Sequence, residues 1–548
     1  TQSRESKWAK SVISDHFRAL WSFAGCFDAL EQIVRDHGRN GNWPEVWISI
    51  KQTLHFDGDR LAPNILSRLE VLEKLTAPSD PYSEIEAYVL VDAWNHVELR
   101  GDDFQERTNE IHEKAIKLGE LAASHPEYLD KLGPKLWETR VNPISWFGKG
   151  LARGTSDWQS MFDRLLKSFQ EHRSDQAVTF LLDGYISGVH ELDPHQARQI
   201  LERTLGTPEL KRYGVDLLTN IPLVPWASAR LLELAQSGEL EAWRFERIGY
   251  ARSHEEISDT ELAILLAAIN GLDRGYLSTI RILSMRVFGK ERHGYIPSDE
   301  LCSAARMAIL RFVSAHREEF GQAQLHGLDQ VLEMALCPSA PETEVREIIR
   351  LFCEGIASYR LYTFEVTEIA SALIREYPEL LLNTVFDGSD REDALAWMLF
   401  KERMLREEPA LNDVPLDRLL AWCGKDQGRI LKAAKAMRTY SSSDSNDESD
   451  EHPKSMTLSE HIKSFLAIAQ DKAAIVEVIF DGIHPGSWSG SLAAIFEVRS
   501  KAFAELLDHS SPQVRTAAKS KLAILEQWIH AQQEREAAEH SRSEQRFE

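Results

Sequence analysis

Gly148-Lys149-Gly150 brings together the residue types of a phosphate cradle, two glycines around a lysine. A working cradle of that kind needs an earlier glycine at fixed spacing and a Ser or Thr after the lysine for the metal ion. Both are missing, and no GxGxxG follows a strand, so no nucleotide-binding core is recognisable. Metal ligation meets the same obstacle. His190 and His195 are not on one helical face, and Pro194 lies between them. His112-Glu113 opens like HExxH, but Ile116 stands where the second histidine belongs. With 19 histidines in the chain, such pairs read as surface or capping residues rather than zinc ligands. Gly486-Ser487-Trp488-Ser489-Gly490-Ser491 resembles a nucleophile elbow until its central residue is read, which is Trp488 and not serine. It reads instead as a turn after Pro485 that opens a helix near Leu492, with Ser489 or Ser491 as cap and Trp488 on the first turn. Asp102-Asp103 and Glu407-Glu408 read as solvated helix ends, not as an acid–base pair. No catalytic, cofactor-binding or metal-binding residue emerges, and the expectation is a chain without enzymatic activity of its own.

The elements that would position any site are helices. Ile111, Ala115, Leu118 and Leu121/Ala122 fall on one stripe. So do Val345, Ile348/Ile349, Phe352 and Ile356, and again Val514, Ala518, Leu522, Leu525 and Trp528/Ile529. Asp193-Pro194, Thr207-Pro208 and Ser511-Pro512 set a capping side chain before proline at the first helical position. His125-Pro126 and Tyr377-Pro378 place proline alike, and Thr457 to Glu460 reads as a capping box. No period-two run is long enough for a strand. The expected fold is all-α, with stacked antiparallel helical hairpins forming a degenerate solenoid of the tetratricopeptide or HEAT kind. Val385-Phe386-Asp387-Gly388, Ile479-Phe480-Asp481-Gly482 and, more loosely, Thr179 to Gly184 hint at a repeat, without a strict tetratricopeptide period. A single irregular α-helical globule is the competing expectation.

Ser441 to Glu451 has five acidic residues, no basic ones and nothing to bury, so it is expected to be disordered. It sets the expected organisation: a helical-repeat array over 1–440, a disordered acidic linker over 441–456, and a helical subdomain over 457–548 ending in a charged helix. Lys and Arg total 63 against 86 Asp and Glu, a formal charge of −23. Such a surface repels phosphate backbones, so nucleic acid is not the expected partner. No apolar run approaches the ~20 residues of a membrane span, and Thr1 to Ser6 is polar, so a membrane is not expected either. Five scattered cysteines, Cys26, Cys302, Cys337, Cys353 and Cys423, with no CxxC pair, fit a reducing compartment and a cytoplasmic setting.

Aromatic residues are the remaining signal. The chain has 14 tryptophans, with Trp43-Pro44 and Trp47 at a helix start. Most should be core, since an indole buries much area. Trp43, Trp47 and Trp488 are the candidates for anchors on a partner. Trp43 to Trp47 with Thr53-Leu54, Glu86 to Leu90, Ser487 to Ala493 and the tail Glu544 to Glu548 together resemble the C-terminal helical half of bacterial antiphage STAND NTPases of the antiviral (AVAST) class. In that family an effector and a P-loop NTPase precede a tetratricopeptide-like array that senses a phage protein. The resemblance implies a sensor module with a protein partner, a phage structural protein among the candidates. It also implies oligomer formation in a full-length context. Neither effector nor NTPase is present here, so the chain, starting at Thr1, reads as the sensor portion of a longer protein or as a stand-alone relative. A scaffold subunit of a defence complex, or an enzyme with an unfamiliar all-α site, are the alternatives.

Overall fold

A computed structural model describes residues 4–21, 23, 25–39, 43–96, 104–288, 295–315, 327–362, 366–400, 411–442, 456–485 and 490–547. Among these the fold is all-α, with one pair of three-residue strands. The chain forms two compact units, Thr1–Ile257 and Ser258–Glu548. The second begins at a true capping box: the Ser258 hydroxyl accepts from the Glu261 amide, and the Glu261 carboxylate accepts from the Ser258 amide. The expected acidic boundary at 441–456 falls inside this second unit.

The first unit opens with the helices Arg4–Leu20, Cys26–His37, Pro44–Asp57 and Pro63–Thr76. They close on Phe17, Phe27, Val34, Trp43, Val46, Ile50, Leu69 and Leu72. Its middle is a seam of three helices, Phe104–Ser124, Pro143–Gly154 and Phe180–Leu192. Here backbones touch. A Cβ at Gly148 would overlap the Leu181 carbonyl, and one at Gly150 the Ile116 carbonyl. The central helix thus turns Gly148 to one neighbour and both Gly150 and Gly154 to the other, and Gly184 answers from the far side against the Ser145 carbonyl. Only a residue without Cβ permits so close an approach. The lysine between the two glycines lies along the Phe180–Leu192 helix, largely buried, and pairs with Glu191 there. Gly148-Lys149-Gly150 is therefore the contact point of three helices, in mid-helix and not in a loop.

In the second unit side chains join residues one repeat apart. Arg306 Nε donates to Glu344, 38 residues on. Ser339 donates to Asp299 and the Tyr377 hydroxyl to the Cys337 carbonyl, each across 40 residues. Arg418–Glu379 and Trp422–Asn383 span 39, and Lys432–Glu392 spans 40. This register matches the HEAT repeat length of about 40–47 better than the tetratricopeptide length of about 34.

Several helix starts follow the sequence and others depart from it. Asp193 accepts from the His195 and Gln196 amides. Thr207 does not cap; its hydroxyl turns back to the Arg203 carbonyl at 2.8 Å. The helix Glu460–Ile468 is capped by Ser459, which accepts from the Ile462 amide, and not by Thr457. Thr457 lies in a strand instead. Strand β1, Tyr440–Ser442, pairs antiparallel with β2, Met456–Leu458, in the register Tyr440↔Leu458, Ser441↔Thr457, Ser442↔Met456. Strands of three residues are too short to leave a period-two trace in sequence. They hold the two ends of the acidic segment side by side; residues 443–455 lie outside the described residues. Ser491 caps the helix Leu492–Ala504. The last helix, Pro512–Phe547, sends Glu536 to the same helix start, where it accepts from the Ser491 hydroxyl at 2.6 Å and the Ala493 amide at 3.0 Å. Burial raises the Glu536 pKa, but these donors outweigh it and the carboxyl lies below its usual range.

Candidate partner-binding surface

Two of the expected anchors are core residues. Trp43 is 1 % exposed within the first cluster, and Lys10 Nζ lies 5.2 Å from its ring centroid. Trp47 is 4 % exposed; its Nε1 donates to Glu73 at 3.1 Å and its ring meets Tyr88 edge-on. Their burial corrects the expectation that they meet a partner: Trp43 precedes the Pro44–Asp57 helix as its N-cap and Trp47 lies on that helix's buried side with Val46, Ile48 and Ile50. Trp488 lies outside the described residues, as do Asp102, Asp103, Glu407 and Glu408. His190 and His195 belong to different helices, and burial holds His190 below its usual value. His112 is stacked on Trp146 at 4.6 Å, and burial depresses it too. Among the described residues these histidines belong to no metal-binding group.

An aromatic pair that the sequence did not single out is exposed. Trp243 is 59 % and Tyr250 62 % exposed. They sit in a short 3₁₀ turn, Ala242–Glu246, that runs into the helical turn Arg247–Tyr250. Phe245 and Ile248, three residues apart, are fully buried and fix this segment to the unit. Trp243 is off that stripe, and this is the signal by which sequence could have found it. Arg244 lies 4.6 Å from the Trp243 ring centroid and its Nε donates to Glu241 at 2.8 Å. Arg247 reaches the other way, toward Asn220 Oδ1 at 3.5 Å.

Beneath the segment are two carboxyls. Burial pushes Asp216 up, with Arg247 and Arg244 pulling against it. Asp183 is pushed up to about 7 by burial and then by Asp216; Arg247, Thr179 and Asn220 act in the opposite sense. After the segment, Arg252 takes a left-handed backbone, φ 57°, and the Ser253 hydroxyl donates to the buried Thr219 carbonyl at 2.9 Å. The exposed aromatics therefore stand on a base pinned by apolar residues and by polar contacts.

Elsewhere, a cleft of about 670 Å³ is lined by Arg274, Tyr276, Arg311 and Glu347 among others, and one of about 710 Å³ by Glu84, Glu113, Lys114, Lys117 and Leu121 among others. The strongly shifted groups, Asp183 and the thiols of Cys302, Cys353 and Cys423, line neither. Among the described residues no three His, Cys, Asp or Glu side chains come together as a metal site needs, and no helix is long and apolar enough to cross a membrane. No protein-family model matches the chain, and no curated protein matches it in sequence.

Proposed function

We propose that this chain is a protein-recognition module, the sensor part of a bacterial antiphage protein of the STAND NTPase kind, and that it binds a phage-encoded protein in the cytoplasm. The observation that carries the reading is the exposed Trp243 and Tyr250, with the largely buried Arg244 against the Trp243 ring, on a base pinned by buried residues. Trp, Tyr and Arg are the residue types that dominate protein interfaces, and pre-ordered anchors lose little entropy on binding. An all-α repeat-like fold supports it further, since such arrays present broad surfaces. The net charge of −23 favours a basic or mixed-charge partner over nucleic acid. Effector and NTPase chemistry belongs, on this reading, to other parts of a longer protein, and the chain neither binds nor hydrolyses ATP.

The test is co-expression with individual phage structural proteins, followed by pull-down and by titration of any protein retained. Trp243→Ala is expected to weaken binding by about 2 kcal/mol or more while the helical circular dichroism stays unchanged. Nanomolar binding to duplex DNA with no phage protein retained would overturn the reading, and so would saturable micromolar ATP binding.

A further inference from the structure

The cleft of about 670 Å³ lies in the second unit, where the helices Asp259–Gly271 and Asp299–Ser314 end and Gly275–Val287 begins. Leu272, Leu310 and Leu351, all half-buried, form part of its wall. Its charged lining residues are Asp273, Arg274, Arg311 and Glu347. Glu347 is already engaged: Arg350 donates to one of its oxygens from Nε at 2.8 Å and to the other from Nη2 at 2.6 Å. Arg311 donates from Nη1 to the Asn270 carbonyl, which fixes its guanidinium at the end of the first helix. Its Nε and Nη2 are engaged by no described residue. Arg274 is exposed and, among the described residues, has neither a hydrogen-bond nor an ion-pair partner. It also stands where the backbone disfavours it, at a left-handed φ of 51° that glycine or asparagine would take more readily. Arg252, the other left-handed arginine, is paired with Glu255. No described contact inside the fold accounts for an arginine at position 274.

We propose that this cleft binds a partner protein through a single Asp or Glu side chain with apolar neighbours. Arg274 and Arg311 take the carboxylate, and the three leucines take the residues beside it. A guanidinium is a planar fork of donors that matches the two oxygens of a carboxylate. The volume falls within the range of roughly 300–1,000 Å³ that ligand clefts occupy. With Glu347 neutralised by Arg350, two arginines against Asp273 leave one positive charge in the lining, which one carboxylate balances. A phosphate dianion or a nucleic-acid backbone would bring further negative charge to Asp273 and to a chain of net charge −23. A mixed-charge protein can present a lone carboxylate between apolar residues. The site belongs to the second unit and Trp243 to the first, so this proposal stands or falls independently of the aromatic surface.

The experiment treats the full chain with phenylglyoxal, which modifies accessible guanidinium groups, and follows each arginine by mass spectrometry of the digest. Arg274 should be modified readily, whereas Arg286, buried and paired with Asp259, should react only after denaturation. The peptide acetyl-Ala-Leu-Glu-Leu-Ala-amide should slow the modification of Arg274 and Arg311 in a saturable way. The same peptide with glutamine in place of glutamate should protect about tenfold less well, the loss expected when a hydrogen bond to a charged group is removed. Inorganic phosphate should protect no better than the glutamine peptide. Arg274→Asn suits the left-handed backbone, so it should melt at or above the wild-type temperature while binding the glutamate peptide about tenfold more weakly. The proposal is overturned if the glutamate peptide gives no protection, if the two peptides protect equally, or if phosphate protects as well as the glutamate peptide. The wild-type protection map decides the matter even if the asparagine variant fails to fold.

Discussion

Asp183 keeps its proton to about pH 7 because burial, and then Asp216, penalise its charge. In the unfolded chain it ionises near the ordinary 3.8. Between those values the folded state binds more protons, so its contribution to stability falls as pH rises through this window. The loss approaches about 4 kcal/mol above pH 7, at ~1.4 kcal/mol for each tenfold difference in proton affinity between the folded and unfolded chain. Asp183→Asn removes the penalty. Its melting temperature relative to wild type should climb steadily from pH 4 to pH 8, and an offset that stays constant with pH would show that Asp183 is already ionised in the fold. A neighbouring contrast is Trp43 against Trp243. Residue type told that tryptophans would either fill the core or meet a partner, but it did not say which. Trp43 caps the start of a helix that buries Val46, Trp47, Ile48 and Ile50, whereas Trp243 lies beside the buried Ala242, Phe245 and Ile248 and off their stripe. The face, not the letter, decides, and a face becomes visible only when the neighbouring helices are in place.

Helices were legible because apolar residues recur at three and four residues, as at Val345, Ile348, Ile349 and Phe352, all of them buried. The seam was not, because glycine in a helix reads as a breaker until a second backbone is seen against it. Gly184→Ala should cost several kcal/mol, or prevent folding of the first unit, since the Ser145 carbonyl occupies the site of the new methyl group. Gly271→Ala is the matched control. It also lies in a helix but has open space around it, so the change should be neutral or stabilising by about 0.5–1 kcal/mol. Equal losses for the two in urea denaturation would refute the close-contact account. The repeat was obscured for another reason. Its rungs are mixed: one Arg–Glu pair runs forward along the chain and another backward, with a Tyr on a carbonyl and a Trp on an Asn among them, so the spacing recurs while no one pattern of letters does.

Each of the two units, Thr1–Ile257 and Ser258–Glu548, has its own internal packing. Residues 1–257 expressed alone should therefore give a helical circular dichroism spectrum and one cooperative melt. A disordered product would show that the first unit depends on the second. Within the second unit, the paired strands at the root of the acidic segment bear on what a cut would do. Both ends are fastened: Tyr440 faces Leu458 across the ladder, the Tyr440 hydroxyl donates to the Ile479 carbonyl at 3.1 Å, and the Ser459 hydroxyl donates to the Arg438 carbonyl at 2.9 Å. A protease site engineered between 443 and 455 would sever the chain while leaving every one of these bonds in place. The halves should elute together on gel filtration, separate only under denaturant, and find each other again when co-expressed as two polypeptides. The molecule thus has a natural point at which one gene could become two.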